Sequence, residues 1–180
     1  MTKALRTALC FGLGLSASAA FGFELTSPDF EPGGTIPMAH VADVFGCTGA
    51  NASPALNWTN PPEGTGAFAL MVHDPDAPTG GAGFWHWIAV NIPGEATGLA
   101  YGLGADHMPD QITQIPNDYG AAAWGGPCPP EGDKAHRYNF TLYALPGPLD
   151  LPEGASKAVI GFIINANAIG TASLQGLYGR

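Results

Sequence analysis

Asp74 and Asp76 stand in Asp74-Pro75-Asp76-Ala77-Pro78, directly after the apolar run Ala67 to His73. The prolines hold the backbone in extended or turn geometry and restrict the residue before each, so both carboxylates ride on a stiffened turn. His86-Trp87 follows, and later Gly126-Pro127-Cys128-Pro129-Pro130 precedes His136-Arg137-Tyr138. Carboxylate, imidazoles, a phenol and a Gly/Pro loop are the inventory of a small polar pocket for an anion. Asp74, at a strand end, is placed to meet His86 from a neighbouring strand. A carboxylate there would raise the proton affinity of the imidazole and fix its tautomer, letting the pair donate to an anionic ligand. Asp76 reads instead as an Asx-type turn residue capping backbone N–H groups. His136 and Tyr138 lie two apart on an expected strand and share a face, adding an N–H and an O–H donor. Alternation turns Arg137 to the other face, where it reads as half of a structural ion pair. Gly126 to Cys128 would present backbone N–H groups, because glycine allows close approach.

Other chemistries fit less well. No His-x-x-x-His or Cys-x-x-Cys spacing occurs, so neither a metal site nor a cofactor is expected. No Gly-x-Ser-x-Gly elbow supplies a nucleophile, so the expectation is a binding protein with no catalytic residues. The alternative is a hydrolase using Asp74 and His86 as an acid–base pair, or an interaction protein with a vestigial pocket. His40, His73 and His107 lack supporting neighbours and read as ordinary strand or loop histidines.

The elements that must carry these residues are mostly strands. Short apolar runs recur between turn signals at Phe23–Leu25, Ala67–His73, Trp87–Ile92, Tyr138–Leu145 and Thr171–Tyr178. Only Ala155 to Ala168 has helical spacing, through Ile160, Ile163, Ile164 and Ala168. Pattern alone therefore predicts a mainly β domain, a sandwich or a barrel, with a helix near the C-terminus.

Residues 1–20 read as a signal peptide: Lys3 and Arg6, an apolar stretch too short to span a bilayer, then small residues, with cleavage after Ala20 or Gly22. Residues 21–180 then form one domain, periplasmic or secreted, with no membrane span. That domain keeps four basic and fifteen acidic residues, a net charge of −11, which argues against nucleic acid and anionic membranes as partners. It also keeps two cysteines, Cys47 and Cys128. In an oxidising compartment they pair as one disulfide, the alternative being two buried thiols.

Together these motifs resemble the phosphatidylethanolamine-binding protein family, specifically its bacterial Raf-kinase-inhibitor-like branch. The resemblance rests on Ser53-Pro54-Ala55-Leu56-Asn57-Trp58, the Asp74 motif, His86-Trp87 through Asn91-Ile92-Pro93, the Gly126 loop, His136-Arg137-Tyr138 and the ending Ala172 to Arg180. It implies a large antiparallel sheet packed on a smaller one, with one or two short helices near the C-terminus. It further implies an anion pocket for phosphate-like groups, built from Asp74, His86, His136 and Tyr138. Gly126, Pro127 and Cys128 would line that pocket, and Phe84 would stand as an aromatic wall. The implied partners are a small anionic or phosphorylated ligand, a protein target that is inhibited or modulated, and a second copy in a homodimer.

Overall fold

The computed structural model describes residues 22–104 and 107–180. The stretch read as a signal peptide lies outside the described residues. The strands are β1 (Glu24–Thr26), β2 (Leu56–Thr59), β3 (Ala67–Asp74), β4 (Phe84–Pro93), β5 (Gly98–Leu99), β6 (Thr113–Gln114), β7 (His136–Leu145) and β8 (Gly170–Tyr178). One α-helix, α1 (Lys157–Asn167), sits between β7 and β8. Its N-cap is Ser156, whose hydroxyl accepts the Val159 N–H.

The strands form two antiparallel sheets, a three-stranded one in the order β1-β2-β5 and a five-stranded one in the order β6-β4-β3-β7-β8. This is the arrangement of a large sheet on a small one that the resemblance implies. Between them lies the main core, where Leu25, Leu56 and Trp58 meet Phe68, Leu70, Phe140 and Leu142. The outer face of the large sheet is also buried, since Ala69, Met71, Ile88 and Val90 pack beneath Ile160 and Ile164 of α1. Burial on both faces is why β3 reads as an unbroken apolar run. Strands β2, β5 and β6 are too short, four, two and two residues, to stand out in the hydrophobic pattern.

One irregularity matters for function. In the β3–β4 ladder Val72 pairs with Trp87 but His73 pairs with Trp85, so His86 is the extra residue of a β-bulge. Strict alternation would put His86 and Trp87 on opposite faces. The bulge lets both turn inward: Trp87 packs 5.9 Å from Trp124, and His86 stands edge-on to Tyr138 at 5.1 Å.

Candidate functional site

Antiparallel pairing brings the end of β3 and the starts of β4 and β7 together at one end of the large sheet's central strands. Asp74, His86, His136 and Tyr138 meet there, all buried. They line a cavity of about 250 Å³ with Phe84 and Cys128. Phe84 stacks at an angle on His86, with ring centroids 5.2 Å apart.

The pairing inside this cluster differs from the sequence expectation. His136, not His86, is the partner of Asp74: its Nδ1–H donates to Asp74 Oδ2 at 2.7 Å. Asp74 is also the turn-capping residue, with Oδ1 accepting the Asp76 and Ala77 N–H groups at 2.8 and 3.1 Å. Asp76, expected in that capping role, pairs with Arg137 across two charged hydrogen bonds of 2.8 and 2.6 Å and accepts the Arg137 backbone N–H. Those bonds hold the Asp76 carboxyl down at about 2. Arg137 does face away from the cavity, as alternation along β7 requires. The exchange of roles has a geometric reason: Asp74 is the last residue of β3 and points inward, whereas Asp76 already lies in the turn beside the outer face.

His86 is oriented by backbone instead of by a carboxylate. Its Nδ1–H donates to the Gly125 carbonyl at 2.6 Å, which leaves Nε2 with a lone pair. Burial pushes this imidazole down to about 4, against the smaller upward pull of the Gly125 carbonyl and Asp74. His86 is therefore a neutral acceptor, not the charged donor that a neighbouring carboxylate would have made. Tyr138 supplies the donor. Its hydroxyl oxygen is fully buried without a hydrogen-bond partner among the described residues, and burial, then the Asp74 charge, holds its proton far above the ordinary phenol range.

The Gly/Pro loop serves mainly as a frame. Gly126 donates its N–H to Asn51 Oδ1 at 2.8 Å and accepts the Tyr119 hydroxyl at 2.9 Å, so it is not directed at a ligand. A Cβ on Gly126 would collide with the His40 carbonyl and the Ala42 amide, so glycine is required by close packing. Neither Gly126 nor Pro127 lines the cavity, whereas Cys128, Pro129 and Pro130 do. A disulfide joins Cys128 to Cys47. Arg180 ties the same two loops together, donating to the carbonyls of Pro129, Gly46 and Phe45 at 2.8–3.2 Å.

Several site residues escaped the sequence reading. Phe45 and Tyr119 line the cavity mouth as a stacked pair, 6.0 Å between centroids. Phe45 is 77% exposed and sits at φ 52°, a left-handed conformation rare for a bulky residue. Buried Asn117 is the scaffold behind them: its Nδ2 donates to the carbonyls of His86 and Ala123, and its Oδ1 accepts the Tyr119 and Ala121 N–H groups. The turn signal Asn117-Asp118-Tyr119-Gly120 was visible in the sequence, but not that the turn folds over the cavity. His40 and His73 lie outside the lining, with ring nitrogens beside the carbonyls of Ala52 and Ala82.

An antiparallel two-sheet fold with a small polar cavity at the strand ends defines the class. The phosphatidylethanolamine-binding protein family model matches residues 26–179, and the chain belongs to that family. It is similar to YbcL of Escherichia coli, 42% identical over 181 residues that cover 98% of this chain and 97% of YbcL. YbhB of the same organism is 39% identical over 158 residues, 86% of this chain and 99% of YbhB. The crystal structure of E. coli YbcL superposes with a TM-score of 0.82 at 43% identity, over 88% of this chain and 98% of that one. CT736 from Chlamydia trachomatis superposes with a TM-score of 0.74 at 31% identity, over 88% and 97%. Among the described residues no helix is long and apolar enough to cross a membrane.

Proposed function

We propose that this chain is an exported binding protein whose cavity holds the anionic or phosphorylated head of a small ligand, and that through this ligand it modulates or inhibits a partner. The observation that carries the reading is the Tyr138 hydroxyl, buried beside two imidazoles without a partner among the described residues. An unpaired buried hydroxyl costs about 1–3 kcal/mol. Such a cost is offset where a bound acceptor supplies the missing bond. The cavity is small enough to enclose a headgroup, and its Phe45, Tyr119 and proline rim offers apolar surface to whatever the head is attached to. Binding is favoured over catalysis because the Cys128 sulfur is committed to a disulfide and the Thr79 hydroxyl donates to the Gly83 carbonyl at 3.0 Å.

Thermal denaturation with inorganic phosphate or phosphorylethanolamine tests this. Both should raise the melting temperature, and His136→Ala and Tyr138→Phe should each blunt the rise. A rise undiminished in both variants would place the anion elsewhere. The hydrolase alternative finds its acid–base pair in Asp74 and His136 at 2.7 Å, not in Asp74 and His86. Sustained turnover heat with phosphomonoesters, lost in Asp74→Asn, would favour it.

A further inference from the structure

The charges and hydrogen-bonding groups that line the cavity bear on which anion it takes. Among the described residues, no Lys or Arg side chain lines it. Arg137 is held by Asp76 on the opposite face, Arg180 by backbone carbonyls, and Lys157 by Asp118 at 2.9 Å. A carboxylate, Asp74, does line the cavity, and its bonds to His136 and to two backbone N–H groups occupy it. His86 offers only its Nε2 lone pair, because Nδ1–H is committed to Gly125.

The surroundings of His86 do not reverse this. Asp74 faces it from β3, His136 and Tyr138 from β7, and Tyr119 and Asp118 from the segment between β6 and β7. Of these, Tyr119 and Tyr138 are kept protonated by burial, and Asp118 is engaged with Lys157 and the Trp85 N–H. His136 donates Nδ1–H to Asp74 and has Nε2 3.6 Å from Asp133. A fully ionised oxyanion offers acceptors alone, so it would meet the His86 lone pair acceptor to acceptor. An oxyanion that keeps one proton can donate to that lone pair and accept from Tyr138. Its lower charge also lessens repulsion from Asp74.

We propose that the pocket selects oxyanions that carry their own proton, the monoanions of phosphate, phosphomonoesters and phosphonates, with the ligand hydroxyl donated to His86 Nε2 and another oxygen accepting the Tyr138 hydroxyl hydrogen. This rests on the anion-pocket reading above and names the ligand class of that site. Sulfate, matched in shape but without a proton near neutrality, is excluded.

The test is calorimetric titration of the purified protein with inorganic phosphate, methylphosphonate, phenyl phosphate and sulfate, at constant ionic strength. It spans about pH 5.5 to 8.5, the range in which phosphates lose their second proton. At the acid end phosphate and methylphosphonate should bind roughly ten- to a hundredfold more tightly than sulfate, the penalty for an unsatisfied polar contact. Affinity should fall as each ligand loses its own proton: first phenyl phosphate, then phosphate, last methylphosphonate. A protein group controlling affinity would place all three midpoints at one pH, and that result overturns the proposal. So does sulfate binding within about threefold of phosphate, while leaving the anion pocket standing. Failure of all four to bind overturns the anion pocket itself, and this inference with it.

Discussion

Replacing Tyr138 by Phe removes one oxygen and little else. The ring is completely buried and stands edge-on to His86 at 5.1 Å, a contact that Phe reproduces. The hydroxyl has no partner among the described residues, so the folded protein carries an unpaid desolvation cost that the unfolded chain, hydrated, does not. With about 1–3 kcal/mol for such a group, and some offset from the small void left behind, a gain of about 1 kcal/mol is expected. For a domain of this size that is roughly 2–4 °C in melting temperature. Binding should move the other way. A hydrogen bond to a charged acceptor contributes about 1.5–3 kcal/mol, so phosphate affinity should drop roughly ten- to a hundredfold. Because ligand stabilisation follows RT ln(1 + [L]/Kd), scanning calorimetry across a phosphate series reads both effects from one data set. The expected pattern is a variant more stable without phosphate and less responsive to it. A variant that is less stable in both conditions, with the same phosphate response, would show that the hydroxyl is already satisfied and would refute the reasoning.

Other outcomes follow from the same geometry. The Cys47–Cys128 bond closes a loop of 81 residues in sequence separation. Reduction, or the double Ser variant, should lower stability by about 4 kcal/mol in the chain-entropy picture, and thiol labelling of the unfolded, unreduced protein should find no free Cys47 or Cys128. His86 titrates at about 4 in the folded protein against an ordinary 6.5, with burial the main cause. Its contribution to stability is therefore complete above 6.5 and is lost as pH falls towards 4, because only the unfolded chain takes the proton in that window. Denaturant midpoints across that range should show a loss on the order of 2–3 kcal/mol that flattens in His86→Gln; a slope unchanged in that variant would assign the titration elsewhere. The Asp76 contribution fades separately and lower, as pH falls from 3.8 towards about 2. Gly126→Ala forces a Cβ into the His40 carbonyl, so it should destabilise the protein by more than about 2 kcal/mol as measured by chemical denaturation. A loss below about 0.5 kcal/mol would show that the loop can move aside.

How much of this was legible in the residues depended on the range of the interaction. The apolar runs marked β3, β4, β7 and β8, and helical spacing marked α1, because each buries a face with its own period. The shared face of His136 and Tyr138, with Arg137 opposite, followed from alternation alone. Alternation by itself would turn His86 and Trp87 to opposite faces; the bulge that brings both inward arises from how two strands register against each other, and neither strand encodes it by itself. The choice of His136 over His86 as the partner of Asp74 is of the same kind. The carboxylate is short, and which imidazole lies within 2.7 Å is settled by the antiparallel register of β3 against β7.

Sequence by itself determined the chemical inventory: two imidazoles, a phenol, a carboxylate on a proline-stiffened turn, and a Gly/Pro loop. Those are properties of residue type and local backbone. Only the tertiary structure decided their protonation and direction. Burial of His86 against Tyr138 and Trp124, with its Nδ1–H claimed by Gly125, turns an expected cationic donor into a neutral acceptor. It likewise took the packing of Asn117 beneath the 117–126 segment to bring Tyr119 and Phe45 over the cavity. Desolvation and long-range hydrogen bonds depend on what the rest of the chain brings near, and no window of sequence around His86 contains that information.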